Sequence, residues 1–290
     1  MQFIGNIGAA AIGACLVVYL QSASVRAAEA PACEPQKLSA KYPSLVGKTI
    51  KIGADAETQP WNFRDPNDKS KIVGFDADLA KAAFDCIGVQ SDFVIAPFVG
   101  LFPAVAEGRA DVFWENLYYT PERAKTMDFI LYYAGATGVV VHKGNPKGVK
   151  TVMDMCGLRA GASQAGVEQA AFKEYSKQCL AAGKKAIELV EYPDTAAGLR
   201  LIANDRADVV MTHVGMANRY IQESPDVLEL GLKIETGFKA GVGVNKSEPD
   251  LTKAIYEALQ VLQANGTEKA LAAKYKADPN LEVPAEVRTE

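Results

Sequence analysis

The run Arg109-Ala110-Asp111-Val112-Phe113-Trp114-Glu115-Asn116 returns later in the chain as Arg206-Ala207-Asp208-Val209-Val210-Met211-Thr212-His213. Upstream of each copy stands a helical pattern: Leu101 and Val105 before Gly108, and Leu199 with Ile202 before Asn204-Asp205. Each copy reads as helix, tight turn and short apolar strand. Ile50-Lys51-Ile52-Gly53-Ala54-Asp55 similarly matches Leu158-Arg159-Ala160-Gly161-Ala162-Ser163, two strand-like runs that end in polar residues. Between the first of these and Phe93-Val94-Ile95, Phe75, Leu79, Ala82 and Cys86 recur at helical spacing. Strands alternating with helices in both halves predict an α/β fold of parallel sheets with helices on both faces. Ligands of such sheets lie beyond the carboxyl ends of the strands, here Asp55, Glu115-Asn116, Ser163 and Thr212-His213. Two lobes whose strand ends face one another form a cleft that closes by hinge motion.

The chain has 290 residues, 49% apolar and 23% charged, enough for one large core or two lobes. A net charge of −4 and a pI near 5.5, with no basic stripe, exclude nucleic acid as a partner, because that surface needs clustered cations. Beyond residue 27 no apolar run reaches the roughly 20 residues a bilayer requires. Residues 1–27 read as a secretory signal: an apolar stretch from Ile7 to Leu20, then Val25-Arg26-Ala27 as a small-residue cleavage site, although Met1 to Asn6 lacks Lys and Arg. Cys15 is a loose lipoprotein-type position, and a lipid anchor there is the lesser reading because the apolar run continues past it.

Four cysteines remain, Cys33, Cys86, Cys156 and Cys179, which allow three pairings. Cys156 and Cys179 flank a single predicted strand and helix, and Cys33 must otherwise find Cys86, so 33–86 and 156–179 is the favoured set. Export makes disulfides the better use of these thiols than a metal. His142 and His213 are the only histidines, and no CxxC or HExxH spacing is present, so no metal site is expected.

Several segments taken together resemble one family, the amino-acid-type extracellular solute-binding proteins that serve ABC importers. They are Pro60-Trp61-Asn62-Phe63, Val73-Gly74-Phe75-Asp76-Ala77-Asp78-Leu79-Ala80-Lys81, Gly100-Leu101-Phe102-Pro103, Thr120-Pro121-Glu122-Arg123-Ala124-Lys125, Met127-Asp128-Phe129 and Asn265-Gly266-Thr267. The resemblance implies a two-lobed periplasmic-binding-protein fold, each lobe an α/β sandwich with a mostly parallel sheet, joined by two hinge crossings near Ala134 to Gly138 and Ile234 to Phe238. The implied organisation is a signal peptide at 1–27, an N-terminal arm at 28–47, lobe 1 at 48–135 and 236–283, lobe 2 at 136–235, and a tail at 284–290. It further implies a periplasmic or extracellular monomer without cofactor. Such a protein takes a carboxylate-bearing small molecule and delivers it to an ABC permease in the inner membrane.

Arg123 follows Thr120-Pro121, a helix start, and a cation in a first turn opposes the helix dipole unless an anion joins it. The alternative is an ion pair with Glu122 or Asp128. The family's ligand-carboxylate arginine matches Arg123, and the family position of Phe98 implies a pocket wall; Trp61 is a further aromatic candidate. Gln164-Ala165-Gly166-Val167 leads into a helix whose free amides suit the same carboxylate. The chain departs from the family where it carries His213 in place of the acid that binds an α-ammonium, and Glu115 and Asn116 where small hydroxylated residues are common. Glu115 then either replaces the missing charge from the opposite lobe or pairs with Arg123 when the cleft is empty. Asp55 ends the first strand and Tyr118 stands close to Glu115, so both join the candidate list, whereas alternation turns Trp114 into the core. Transport is the first reading of function. A lyase or dehydratase on the same fold, with Glu115 and His213 as acid and base, is the second, and a sensory or accessory role the third.

Overall fold

A computed structural model of the protein describes residues 1–2, 30–193 and 195–290. The expected signal segment and Cys15 lie outside the described residues. Pro31–Glu290 forms one compact unit.

The repeated motif acts through its aspartate. Asp111 Oδ2 accepts the Lys51 amide at 2.7 Å, and the Asp111 amide donates to the Lys51 carbonyl at 2.9 Å. Asp208 does the same with Arg159, at 2.9 and 2.8 Å. Each aspartate pins the start of its own strand to the start of the neighbouring parallel strand and sets the register of both.

After α1 (Pro35–Lys41), β1 (Thr49–Ala54) leads through a small antiparallel meander, β2 (Glu57–Thr58), β3 (Asn62–Arg64) and β4 (Ile72–Val73), into α2 (Phe75–Ile87). Phe75, Leu79 and Cys86 of α2 are buried as its periodicity predicts, and Ala82 is half-buried. Next come β5 (Gln90–Ile95), α3 (Phe98–Ala106), β6 (Val112–Tyr118), the short α4 (Pro121–Ala124) and the long β7 (Met127–His142). The second set comprises β8 (Arg159–Ser163), α5 (Val167–Ala181), β9 (Glu188–Tyr192), α6 (Thr195–Ala203), β10 (Val209–His213), α7 (Val214–Glu223) and the long β11 (Leu228–Asn245). The chain closes with α8 (Pro249–Ala264), α9 (Thr267–Lys274) and β12 (Glu282–Arg288).

Among the described residues the main sheet runs β5-β1-β6-β11-β7-β10-β8-β9. The three strands at each end are mutually parallel, and the long pair β7 and β11 crosses between them antiparallel to each other and to their neighbours. Core membership changes along that pair. Ile130, Tyr132 and Tyr133 pack with Ile52, Trp114 and Leu259, whereas Val139 and Val141 pack with Ala160, Phe172 and Met211. On β11, Leu232 and Ile234 belong with the second group and Ala240, Val242 and Val244 with the first. The β7–β11 register shifts between Glu235 and Lys239, where Gly237 takes a left-handed φ of +68°. Opposite, a Cβ on Gly135 would stand 2.2 Å from the Tyr118 ring, so the strand passes under that ring only because the residue is glycine.

The disulfides join Cys33 to Cys86 and Cys156 to Cys179. The segment expected to be a tail is instead part of a strand. β12 pairs with β7 across Phe129–Tyr133, and its neighbour Glu290 accepts the Tyr119 hydroxyl proton at its carbonyl. Its sequence, Glu-Val-Pro-Ala-Glu-Val-Arg, has too few apolar positions to announce a strand; the unpaired edge of β7 supplies the reason for it.

Candidate functional site

The parallel strands of both halves end on one small cavity of ≈ 70 Å³. Behind β1, Asp55 is 5% exposed; its Oδ1 accepts the Glu57 amide at 3.0 Å and its Oδ2 the Phe98 amide at 3.2 Å. Beyond it, the Thr58 hydroxyl donates to the Asp55 carbonyl at 3.0 Å, closing the turn. Glu115, in β6, is 3% exposed, and its Oε2 accepts the Asp55 amide. Its Oε1 is buried with no hydrogen-bond partner among the described residues. Burial, and after it the negative charge of Asp55, pushes the Glu115 carboxyl well above the ordinary range.

Asn116 takes a left-handed φ of 40° and donates its amide to Asp76, while its buried Oδ1 has no hydrogen-bond partner among the described residues. Asp76, in the first turn of α2, accepts the Tyr132 hydroxyl at 2.7 Å, which in turn accepts Trp114 Nε1 at 2.8 Å. Trp114 is therefore a core residue, packed edge-on to Phe84. The network holds the bend at Asn116 that separates Glu115 from Tyr118.

Thr120 caps α4 by accepting the Arg123 amide at 3.2 Å. The Arg123 side chain lies against Phe98 and Phe102, 5.8 and 5.1 Å from their ring centres. One of its terminal nitrogens donates to the Tyr118 carbonyl at 2.6 Å and the other to the Ala165 carbonyl at 2.7 Å, so it touches both halves of the molecule. Glu122 pairs instead with Lys125 and Asp128 with Lys246, and Arg123 forms no ion pair among the described residues. Desolvation draws its pKa down to about 10, and the charge of Glu168 partly opposes this.

The opposite wall comes from β8 to α7. Ser163 ends β8, Gly166 and Val167 open α5, and Glu168 follows in the first turn, 8% exposed. Burial raises the Glu168 carboxyl, and the Arg123 charge pulls it back. Tyr192 at the end of β9, Pro193 after it, Thr212 of β10 and Met216 of α7 complete the lining.

All the residues expected from sequence to face a ligand line this cavity except Gln164 and His213. Gln164 donates its amide to the Tyr192 carbonyl at 3.0 Å and stays in the turn. His213 turns back to cap α7, Nδ1 accepting the Gly215 amide at 3.1 Å. Its ring lies between Trp61 and Tyr118, 4.8 and 5.7 Å away, and it lines a second cavity with Lys233, Lys276 and Asp278. The structure therefore does not bring His213 and Glu115 into one cavity. Trp61 borders both. Sequence reasoning missed Thr58, Glu168, Tyr192, Pro193 and Met216. Glu168 carried one signal, an acid in the first turn of a helix that begins at a strand end. Among the described residues no cluster of His, Cys, Asp and Glu suits a metal, and no helix is long and apolar enough to cross a membrane.

The family of bacterial extracellular solute-binding proteins, family 3, matches residues 50–278. The histidine-binding periplasmic protein of Escherichia coli (strain K12) is 28% identical over 242 residues, covering 80% of this chain and 89% of that protein. An ancestral arginine-binding protein bound to arginine superposes with a TM-score of 0.72 at 27% identity, over 78% of this chain and 97% of that one. An ancestral amino-acid-binding protein described as a precursor of cyclohexadienyl dehydratase gives a TM-score of 0.69 at 25% identity, over 82% and 99%.

Proposed function

The chain belongs to the bacterial extracellular solute-binding proteins, family 3, and we propose that it captures a small, amino-acid-like carboxylate in the cavity between its lobes and delivers it, chemically unchanged, to an ABC permease in the inner membrane. Arg123 carries this reading. A guanidinium has five N–H donors; this one spends two on carbonyls, is partly buried and lacks a counter-anion among the described residues. An incoming carboxylate supplies that anion in bidentate geometry, and the amides that open α5 lie on the same cavity. The bond from Arg123 to Ala165 already spans the cleft, so the same side chain that holds the ligand helps hold the lobes together.

Related proteins described as binding histidine and arginine support an amino-acid-like solute, and the periplasmic relative supports export. In this reading lobe 1 comprises residues 48–135 and 236–283 with β12 added, lobe 2 comprises residues 136–235, residues 28–47 form an arm stapled to α2, and the protein works as a monomer. Capture without catalysis is favoured because Glu115 and His213 line different cavities. The test is calorimetric titration of the exported protein with the common amino acids, followed by mass analysis of the recovered ligand. Saturable binding of an unaltered compound, lost in Arg123→Ala, is the predicted result. Unchanged affinity in that variant, or a product of altered mass formed with turnover, contradicts the proposal.

A further inference from the structure

The cavity that His213 lines is roomier than the main one, ≈ 260 Å³ against ≈ 70 Å³, and Trp61 is the one wall they share. Trp61, Tyr133 and Lys276 bound it on one side, and His213, Leu230 and Lys233 on the other. Two ring N–H groups at this cavity have nothing to donate to among the described residues. Trp61 is 1% exposed and its Nε1 is buried without a hydrogen-bond partner. A Cβ on Gly215, which lines this cavity and not the main one, would stand 3.4 Å from Trp61 Cζ2, so the edge of the indole beside Nε1 is turned this way. His213 is 4% exposed, and its Nδ1 is taken as the acceptor of the Gly215 amide. The proton of the neutral ring therefore sits on Nε2, and that atom is also buried without a partner. The two rings meet edge to face with centres 4.8 Å apart, so the two donors are close neighbours. A buried donor left unmade is costly, and two of them on one cavity call for an acceptor there.

The charges around the cavity select the kind of acceptor. Lys276 forms no ion pair among the described residues, and Lys233 meets only the exposed Glu235, at 3.8 Å. The carboxylate on the same wall, Asp278, already accepts the amide and the side-chain nitrogen of Asn280 at Oδ1, both at 2.9 Å. The Tyr133 hydroxyl is spent on the Asp278 carbonyl at 2.6 Å, so that residue contributes apolar wall, as Leu230 does. Two ammonium groups and two unmade N–H donors suit an anion, and the apolar wall suits one with a body of carbon.

We propose that this second cavity is a binding site for a small organic monocarboxylate, whose oxygens accept from Trp61 Nε1 and His213 Nε2 beside Lys233 and Lys276 and whose carbon body lies along Leu230 and Tyr133. The occupant is distinct from the molecule captured in the main cavity, because Arg123, Glu115 and Glu168 line only that one. The site therefore stands or falls independently of the role given to Arg123.

Trp61 and Trp114 are the only tryptophans, so the exported protein labelled with a nitrogen isotope shows two indole N–H signals by NMR. Trp114 Nε1 already donates to the Tyr132 hydroxyl at 2.8 Å and serves as the internal reference; Trp61→Phe assigns the pair. Titration with butyrate at constant ionic strength is expected to move the Trp61 signal downfield to saturation, as its N–H gains an acceptor, and to leave that of Trp114 in place. The same movement is expected in Arg123→Ala. The double variant Lys233→Gln, Lys276→Gln is expected to keep the ligand-free spectrum and to weaken the butyrate response about 10-fold or more. Chloride and sulfate at the same ionic strength are expected to leave both signals where they are. A Trp61 signal that butyrate does not move would mean that water fills the cavity, and would overturn the proposal, as would an equal movement with chloride or sulfate. A response unaltered in the double lysine variant would overturn it too, as would one lost in an Arg123→Ala protein whose ligand-free spectrum is unchanged, since the carboxylate would then sit in the main cavity.

Discussion

Asp111 in lobe 1 and Asp208 in lobe 2 hold their neighbouring strands by the same pair of hydrogen bonds, one accepted by the carboxylate and one donated by the amide, yet β6 runs on to Glu115-Asn116 and β10 to Thr212-His213. The base of each strand is fixed by backbone bonding, so its residue type is constrained. The tips share no such bond and differ: Glu115 accepts the Asp55 amide, Asn116 donates its amide to Asp76, and His213 caps α7. Lobe 1 places Arg123 and Glu115 on the cavity. Lobe 2 contributes helix-opening amides, Glu168, Tyr192, Thr212 and Met216.

Each lobe also has its own staple, and removing these offers the largest contrast. The Cys33–Cys86 bridge closes a separation of 53 residues and Cys156–Cys179 one of 23. On chain-entropy grounds, replacing the first pair by serine should cost about 4 kcal/mol and the second about 3 kcal/mol. Chemical denaturation of the two double variants measures both. A larger loss at the shorter loop would show that packing around lobe 2, and not loop entropy, sets the order.

His213 gives the next effect. Desolvation between Trp61 and Tyr118 lowers its pKa to about 3 from the ordinary value of 6.5. Lys233 and Lys276 face it from β11 and from the turn after α9, with Asp278 opposing them. The unfolded histidine binds a proton below pH 6.5 that the folded one refuses, so its contribution to stability is complete above pH 6.5 and lost as pH falls toward 3. Between pH 7 and pH 5 the parent should lose about 2 kcal/mol relative to His213→Asn. Parallel pH profiles in the two proteins would place His213 in contact with solvent.

Smallest are the pins: Asp111→Asn should cost about 1 kcal/mol, the usual net worth of a hydrogen bond, and Asp208→Asn more, because it also weakens the ion pairs with Arg159 and Lys147. Thermal unfolding that shows a loss at one pin alone would break the equivalence of the two units.

The repeat made the architecture legible because a hydrogen bond from strand base to strand base demands an aspartate at a fixed place in both halves. The cavity was legible where a polar residue follows or interrupts an apolar strand, as with Asp55 and Glu115, or opens a helix, as with Arg123. It failed at His213, since β10 is buried throughout and offers no alternation to tell which of Thr212 and His213 faces the ligand. The imidazole was taken up by the cap of α7, and Thr212 lines the cavity. Glu168 was hidden because an acid in a first helical turn is ordinary helix chemistry, and only the approach of Arg123 from the other lobe makes it part of a site. The strand at Glu282–Arg288 was hidden for a related reason, because its partner β7 lies far away in sequence.

The central claim is that a small molecule is enclosed between the lobes and held by Arg123. Native mass spectrometry of the parent and of Arg123→Ala, purified from the same cells and examined before and after mild unfolding, tests it most directly. The parent should carry one small adduct that unfolding releases, and Arg123→Ala should carry none while keeping a compact charge-state distribution. The same adduct at equal occupancy on both proteins would contradict the account.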